Sequence, residues 1–76
     1  MEVTQALLRS GTYRHYKGKN YLVLGIAKHS ETLEDLVVYT CLHKNAVSPL
    51  WVRPLEMFTG EVEVDGEMVQ RFEFVG

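Results

Sequence analysis

"GTYRHYKGKNYLVLGIAKHS", residues 11 to 30, gathers three tyrosines, two histidines, one arginine and three lysines around a single apolar run. Within it Leu22, Leu24 and Ile26 alternate with Tyr21, Val23, Gly25 and Ala27, so a strand here is apolar on both faces and belongs in the middle of a sheet. Tyr13 to Tyr16 reads as a short preceding strand, and Lys17-Gly18-Lys19-Asn20 as the turn that joins the two. Gly25, lodged inside the second strand, predicts a bend or bulge. This hairpin sets the class of the fold as β.

The chain downstream repeats the pattern. "SETLEDLVVYTCLH" has helical spacing at Leu33, Leu36, Val37 and Thr40 behind a Ser30 cap, yet the run Val37-Val38-Tyr39-Thr40 is costly in a helix and favoured on a pleated surface. A loop at 29–34 and a strand at 35–42 are therefore expected. Leu50 to Arg53 reads as a further strand stopped by Pro54, with a turn carrying Met57 and Phe58 beyond it. "EVEVDGEMVQRFEFVG" is two alternating strands around Asp65-Gly66, residues that tolerate the positive φ of a tight hairpin turn, with Phe72 and Phe74 on one face. Upstream, Val3, Leu7 and Leu8 line one face of a short helix at 2–9, ended by Gly11.

These readings sum to a mainly β fold: a small antiparallel SH3-like barrel of five or six strands. Residues 1–10 form a short helical segment and 11–76 a single domain. The 76-residue chain has room for one core only. At this size a domain buries about 60% of the surface its unfolded chain exposes, so its apolar side chains are needed inside. Leu22, Leu24, Ile26, Leu36, Val38, Leu50, Val52, Val62, Val64, Phe72 and Phe74 suffice for that core, and the other aromatics are then surplus to it.

Composition excludes several classes. Cys41 is the only cysteine, so neither an intramolecular disulfide nor a zinc site of paired thiolates can form, and a reducing cytoplasm is the expected compartment. The opening "MEVTQALLRSG" has no basic n-region or apolar h-region of a secretory signal, and no apolar run reaches the ~18 residues of a membrane span. A formal charge of −2 argues against strong duplex DNA binding.

"YRHYKG", the "VLG" that follows, "HSET", "LVVY" and "WVRPLEMF" together resemble the small bacterial family catalogued as domain of unknown function 1653. The resemblance runs from Gly11 to Phe74, and several blocks in fixed order carry it. It departs from the family pattern at Gln70, where a proline is usual, and in the connector "CLHKNAVSPLW". The resemblance implies a compact bacterial module and supplies no reaction.

No cofactor or metal is expected: His15, His29 and His43 lie in separate segments without HxH or HxxxH spacing, and no phosphate-binding loop or nucleophile elbow is present. Cys41 and His43 share a strand face, but no orienting acid or oxyanion hole accompanies them, and the thiol reads as a small core residue. The candidate binding residues are Tyr13, His15, His29, Ser30, Glu31, Tyr39, Trp51 and Arg53. Trp51 and Arg53 share a face opposite Leu50 and Val52, a pairing common in interaction hot spots. A competing reading has Trp51 closing the barrel end and Arg53 paired with Glu31 or Glu34. Two functions follow. One is a non-catalytic recognition module for a protein segment, a nucleotide or single-stranded nucleic acid, acting by stacking and cationic contact. The other is a small enzyme, or enzyme subunit, using His15, His29 and Glu31 as acid/base groups once the 29–34 loop folds over the first strand.

Overall fold

The computed structural model describes residues 8–44 and 48–76. Its strands are β1 (Gly11–His15), β2 (Asn20–Lys28), β3 (Asp35–Cys41), β4 (Leu50–Pro54), β5 (Glu61–Val64), β6 (Glu67–Gln70) and β7 (Phe72–Phe74), with a one-turn helix α1 (Leu55–Phe58) between β4 and β5. The first five-stranded sheet has the order β4-β3-β2-β1-β7, and β5-β6 form a separate hairpin. All strand pairs are antiparallel. Both sheets are open, so the expected closure into a barrel is not seen among the described strands. The helix expected at 2–9 falls mostly outside the described residues, and Leu8 and Arg9 are not helical.

The turns follow local chemistry. Asp65 and Gly66 both adopt positive φ, 51° and 84°, the conformation that a two-residue hairpin turn demands. Val64 thereby pairs with Glu67. The strand expected at 35–42 forms over Asp35–Cys41, and β2 carries the bulge expected at Gly25: the register shifts between Val23 and Gly25, leaving Leu24 without a partner opposite. Its consequence is a change of parity. Tyr21 and Val23 face the core before the bulge, whereas Ile26, paired with the fully buried Val37, lies on the core face after it.

The last run divides at Arg71, contrary to the simple two-strand hairpin expected. The Arg71 N–H donates to the Gly60 carbonyl and the Arg71 carbonyl accepts from Tyr16 N–H, at 3.0 and 2.9 Å. The first bond carries the hairpin register of Glu61 with Gln70 on by one residue and the second ties the chain to the end of β1, so beyond Arg71 the run Phe72 to Phe74 leaves β6 and pairs with β1. Gly11 makes this docking possible. With φ at 142° it occupies backbone space open to glycine, and a Cβ there would lie 2.9 Å from Phe74 Cε1.

Along β3, β4 and the first half of β2 the core lies on the face opposite the one expected, whereas Phe72 is buried as expected and Ile26 lies on the core face. Tyr13, Val23, Val37, Tyr39, Phe58 and Phe72 are buried, with Leu8, Tyr21, Trp51 and Leu55 packed against them. Leu24, Leu50 and Val52, expected inside, are 51%, 55% and 57% exposed, and Leu22, Leu36 and Val38 are only half-buried. On the hairpin, Val62 is half-buried and Val64 exposed. The reason lies in α1, which follows β4 directly and carries Phe58 onto the Tyr39 and Phe72 rings, at centroid distances of 5.5 and 4.0 Å. One aromatic plug from the helix gives that face its partner. The tyrosines and the tryptophan then supply the apolar area that the aliphatic residues supply in an ordinary sheet of this size.

Phe58→Ala is expected to cost about 3–5 kcal/mol in urea unfolding, and Val52→Thr less than about 0.5 kcal/mol. The reverse order would place Val52 in the core and overturn the assignment of faces.

Candidate functional site

Register converts the core face into rows. Trp51, Tyr39, Val23 and Gly11 are successive cross-strand partners; Cys41, Tyr21, Tyr13 and Phe74 form the next row. Arg53, Val37 and Ile26 form a third on the other side of the Trp51 row. Where the first row and its neighbours meet near β4, Tyr21, Tyr39, Cys41, Trp51 and Arg53 line a hollow of about 180 Å³. Its walls are aromatic: Tyr21 meets Tyr39 edge-on at 5.5 Å and His43 at 5.3 Å.

The polar groups at this hollow are under-used. Arg53 Nε donates to the Tyr39 hydroxyl at 3.4 Å, a long bond, and the guanidinium carbon lies 5.8 Å from the Phe72 ring centroid. Among the described residues no carboxylate pairs with Arg53; an ion pair forms instead between Lys28 and Asp35, at 2.7 Å. The expected partners Glu31 and Glu34 are not bonded to it. Among the described residues Trp51 Nε1 is buried without an acceptor, and Arg71 Nε and His43 Nδ1 are likewise buried without partners. An orphaned buried donor costs about 1–3 kcal/mol.

His15 lies at the edge of the same face. Its ring contacts Phe72 at 4.9 Å and Tyr16 at 4.5 Å, and its Nδ1 accepts the Lys17 N–H at 3.1 Å. Burial lowers its pKa below the ordinary imidazole value, and Arg53, Lys17 and Arg71 lower it further. The three coulombic neighbours are all cations, so the potential here is positive in a chain whose net charge is −2. Tyr21 has its phenol pKa raised, chiefly by burial and then by Cys41 and Tyr39, while Arg53 opposes the change.

The other expected site residues divide. Tyr13 is buried and gives its hydroxyl proton to the Arg9 carbonyl at 2.8 Å; burial is also the main cause of its raised pKa. It is a core residue and does not line the hollow of Trp51 and Arg53. Tyr39 is buried as well, yet it borders the hollow. His29, Ser30 and Glu31 sit in the turn at the Lys28 end of β2, whereas His15 lies beyond its Asn20 end. A nine-residue strand separates the two histidines, roughly 25–30 Å at 3.3 Å per residue. The acid/base trio of His15, His29 and Glu31 is thus not assembled. His29 instead acts within its own turn. Its Nδ1 accepts the N–H groups of Glu31 and Thr32, at 3.1 and 3.3 Å, and holds the bend in which Leu33 takes φ of 63°.

Tyr21 and Cys41 were not expected at a site. The signal was parity alone, since both share the side of their strands with Val23 and Tyr39. A larger hollow, about 400 Å³, lies between the β5-β6 hairpin and β1, lined by Arg14, His15, Tyr16, Val64, Val69, Gln70 and Glu73. There Arg14 and Glu73 are cross-strand partners of opposite charge, so its charges offset one another.

Comparison with known proteins agrees on the fold. A family model described as "Protein of unknown function (DUF1653)" matches residues 11–74. The chain belongs to the DUF1653 family. Among solved structures it is similar to the crystal structure of a DUF1653 protein from Bordetella bronchiseptica, at 42% identity and a TM-score of 0.89, over 95% of this chain and 92% of that one. Among curated proteins nothing matches. The DUF1653 match begins at Gly11 and ends at Phe74, the span from the first residue of β1 to the last of β7.

The depressed imidazole pKa of His15 makes stability depend on pH. The unfolded chain binds the proton more readily than the folded one, so the His15 contribution is complete above about 6.5 and is lost as pH falls through the lower folded value. Stability in urea between pH 7.5 and 5 should therefore weaken less in His15→Gln than in the parent. Equal slopes for the two proteins would contradict the assignment.

Proposed function

We propose that this DUF1653 protein is a non-catalytic recognition module and that it binds through the corner where Trp51 and Arg53 meet Tyr21, Tyr39 and Cys41. The observation that carries the reading is a cation and a buried N–H, Arg53 and Trp51 Nε1, both without a full set of partners among the described residues, beside one aromatic-walled hollow. Bound ligands supply such partners, and Trp, Tyr and Arg are the residue types that dominate binding energy. His15 stands close enough to Tyr21, 6.3 Å between ring centroids, to extend the surface toward β1. The 29–34 turn lies at the far end of β2 and has no part in it.

Acid/base catalysis has less support, because His15 stands apart from both His29 and Glu31. The cytoplasm suits a module whose single cysteine, Cys41, lines the hollow half-buried. Among the described residues no helix is long and apolar enough to cross a membrane. Duplex DNA is a poor partner for a chain of net charge −2.

Amide and indole spectra recorded with a panel of single-ring compounds test the reading. Nucleotides, aromatic amino-acid amides and aromatic acids that bind should perturb Tyr21, Tyr39, Cys41, Trp51 and Arg53 together. Arg53→Ala should weaken that binding by about 2 kcal/mol or more while the folded spectrum remains. Perturbations confined to the 29–34 turn or to the larger hollow would move the site elsewhere, and an unresponsive spectrum would overturn the reading.

A further inference from the structure

Building on the recognition reading, we infer that the corner takes a nucleotide unit, its base in the aromatic hollow with an edge acceptor at Trp51 Nε1–H and its phosphate at Arg53. Four observations converge on this chemistry. The hollow, about 180 Å³, is below the roughly 300–1,000 Å³ of sites that enclose a whole drug-sized ligand. It is close to the ~150 Å³ that holds one benzene ring, so it admits a single ring system and leaves the rest of the ligand outside.

Trp51 Nε1–H has no acceptor among the described residues, so a ring that reaches it must offer one. A phenyl side chain has none, whereas every nucleobase carries carbonyl or ring-nitrogen acceptors at its edge. Tyr21, half-buried, is the ring of the hollow on which a base can settle without regard to sequence, backed by the buried Tyr39.

Spacing supplies the third point. Trp51 and Arg53 lie two residues apart on one face of β4, about 6.6 Å along the strand. That is the scale of the sugar that separates a base from its phosphate. The guanidinium is a natural phosphate partner, since its Nη groups make no hydrogen bond to described residues.

The surroundings of His15 give the fourth. Arg53, Lys17 and Arg71 all act on it as positive charges. Arg14 and Glu73, which line the neighbouring hollow with it, are cross-strand partners of each other. The field along this edge therefore favours an anion.

The test is a titration of the unmodified protein followed at the Trp51 indole N–H and the Arg53 Nε–H. The probes are uridine monophosphate, uridine, inorganic phosphate, a five-residue oligouridylate and N-acetyl-tyrosine amide. Uridine monophosphate should move both resonances saturably and bind about tenfold more tightly than uridine, the value of one charge-assisted contact. Arg53→Gln should remove that tenfold difference while Arg53→Lys retains part of it.

A single nucleotide matching the oligouridylate identifies a free nucleotide as ligand, and much tighter binding of the oligomer identifies single-stranded nucleic acid; either result supports the inference. Equal binding of uridine and its monophosphate, or binding of the tyrosine amide alone, would overturn it and leave the recognition reading intact. Failure of every ring probe to move the two resonances would overturn both.

Discussion

Phe58 lies flat on Phe72, ring centroids 4.0 Å apart and planes 5° from parallel, and this stack decides which side of the sheet becomes the interior. Phe58 comes from a four-residue helix that follows β4 without a loop; Phe72 comes from the far edge of the sheet. Between them they hold the rings of Tyr13 and Tyr39 in edge-on or tilted contact, at 5.3 to 5.8 Å, together with Phe74. Such contacts contribute beyond the area they bury. For a chain of 76 residues an aromatic cluster is an efficient interior, because each ring removes much surface from water with few torsions to fix.

The candidate site is a consequence of this interior. Tyrosine and tryptophan carry polar atoms, and a core built from them must satisfy those atoms or leave them for something else. Tyr13 is satisfied by the Arg9 carbonyl and Tyr39 by Arg53. Trp51 is not satisfied among the described residues. The hollow beside it opens where the aromatic layer gives out toward the edge strand β4, and the cation next to it is one residue of that same strand. Structural and functional roles therefore overlap at Tyr39, Trp51 and Arg53, and a substitution there acts on packing as well as on binding.

Much of the local structure was legible in the chain, and the side of the sheet that is buried was not. Asp65-Gly66 demands its turn, Gly25 marks its bulge, and the β-branched run at 37–40 excludes a helix, each through backbone preferences that act within a few residues. Facing is different. β2 and β3 are apolar on both sides, so alternation gives no preference between Leu22, Leu36 and Val38 on one face and Val23, Val37 and Tyr39 on the other. Aliphatic residues were the natural choice on hydrophobicity, and the choice failed because the only helix among the described elements delivers an aromatic ring to the opposite face. Closure into a barrel is not seen among the described strands for a related reason: the hairpin ends at Arg71, and Phe72 completes the edge of an open sheet. Trp51 and Arg53 were identified on composition, but as exposed surplus, whereas Trp51 is packed against the core. The separation of His15 from the His29 turn is a matter of strand length and register, which residue types alone do not encode.

Core, hollow and binding corner all depend on the aromatic face being inside and the aliphatic face outside. Methyl relaxation in the presence of a soluble gadolinium chelate measures this directly. Leu50, Val52 and Leu24 methyls should relax strongly, while those of Val23 and Val37, at 2% and 0% exposure, should be almost unaffected. Protection of Leu50 and Val52 with strong relaxation at Val23 and Val37 would contradict this arrangement, and with it the placing of the Trp51 hollow on the inner side of the sheet.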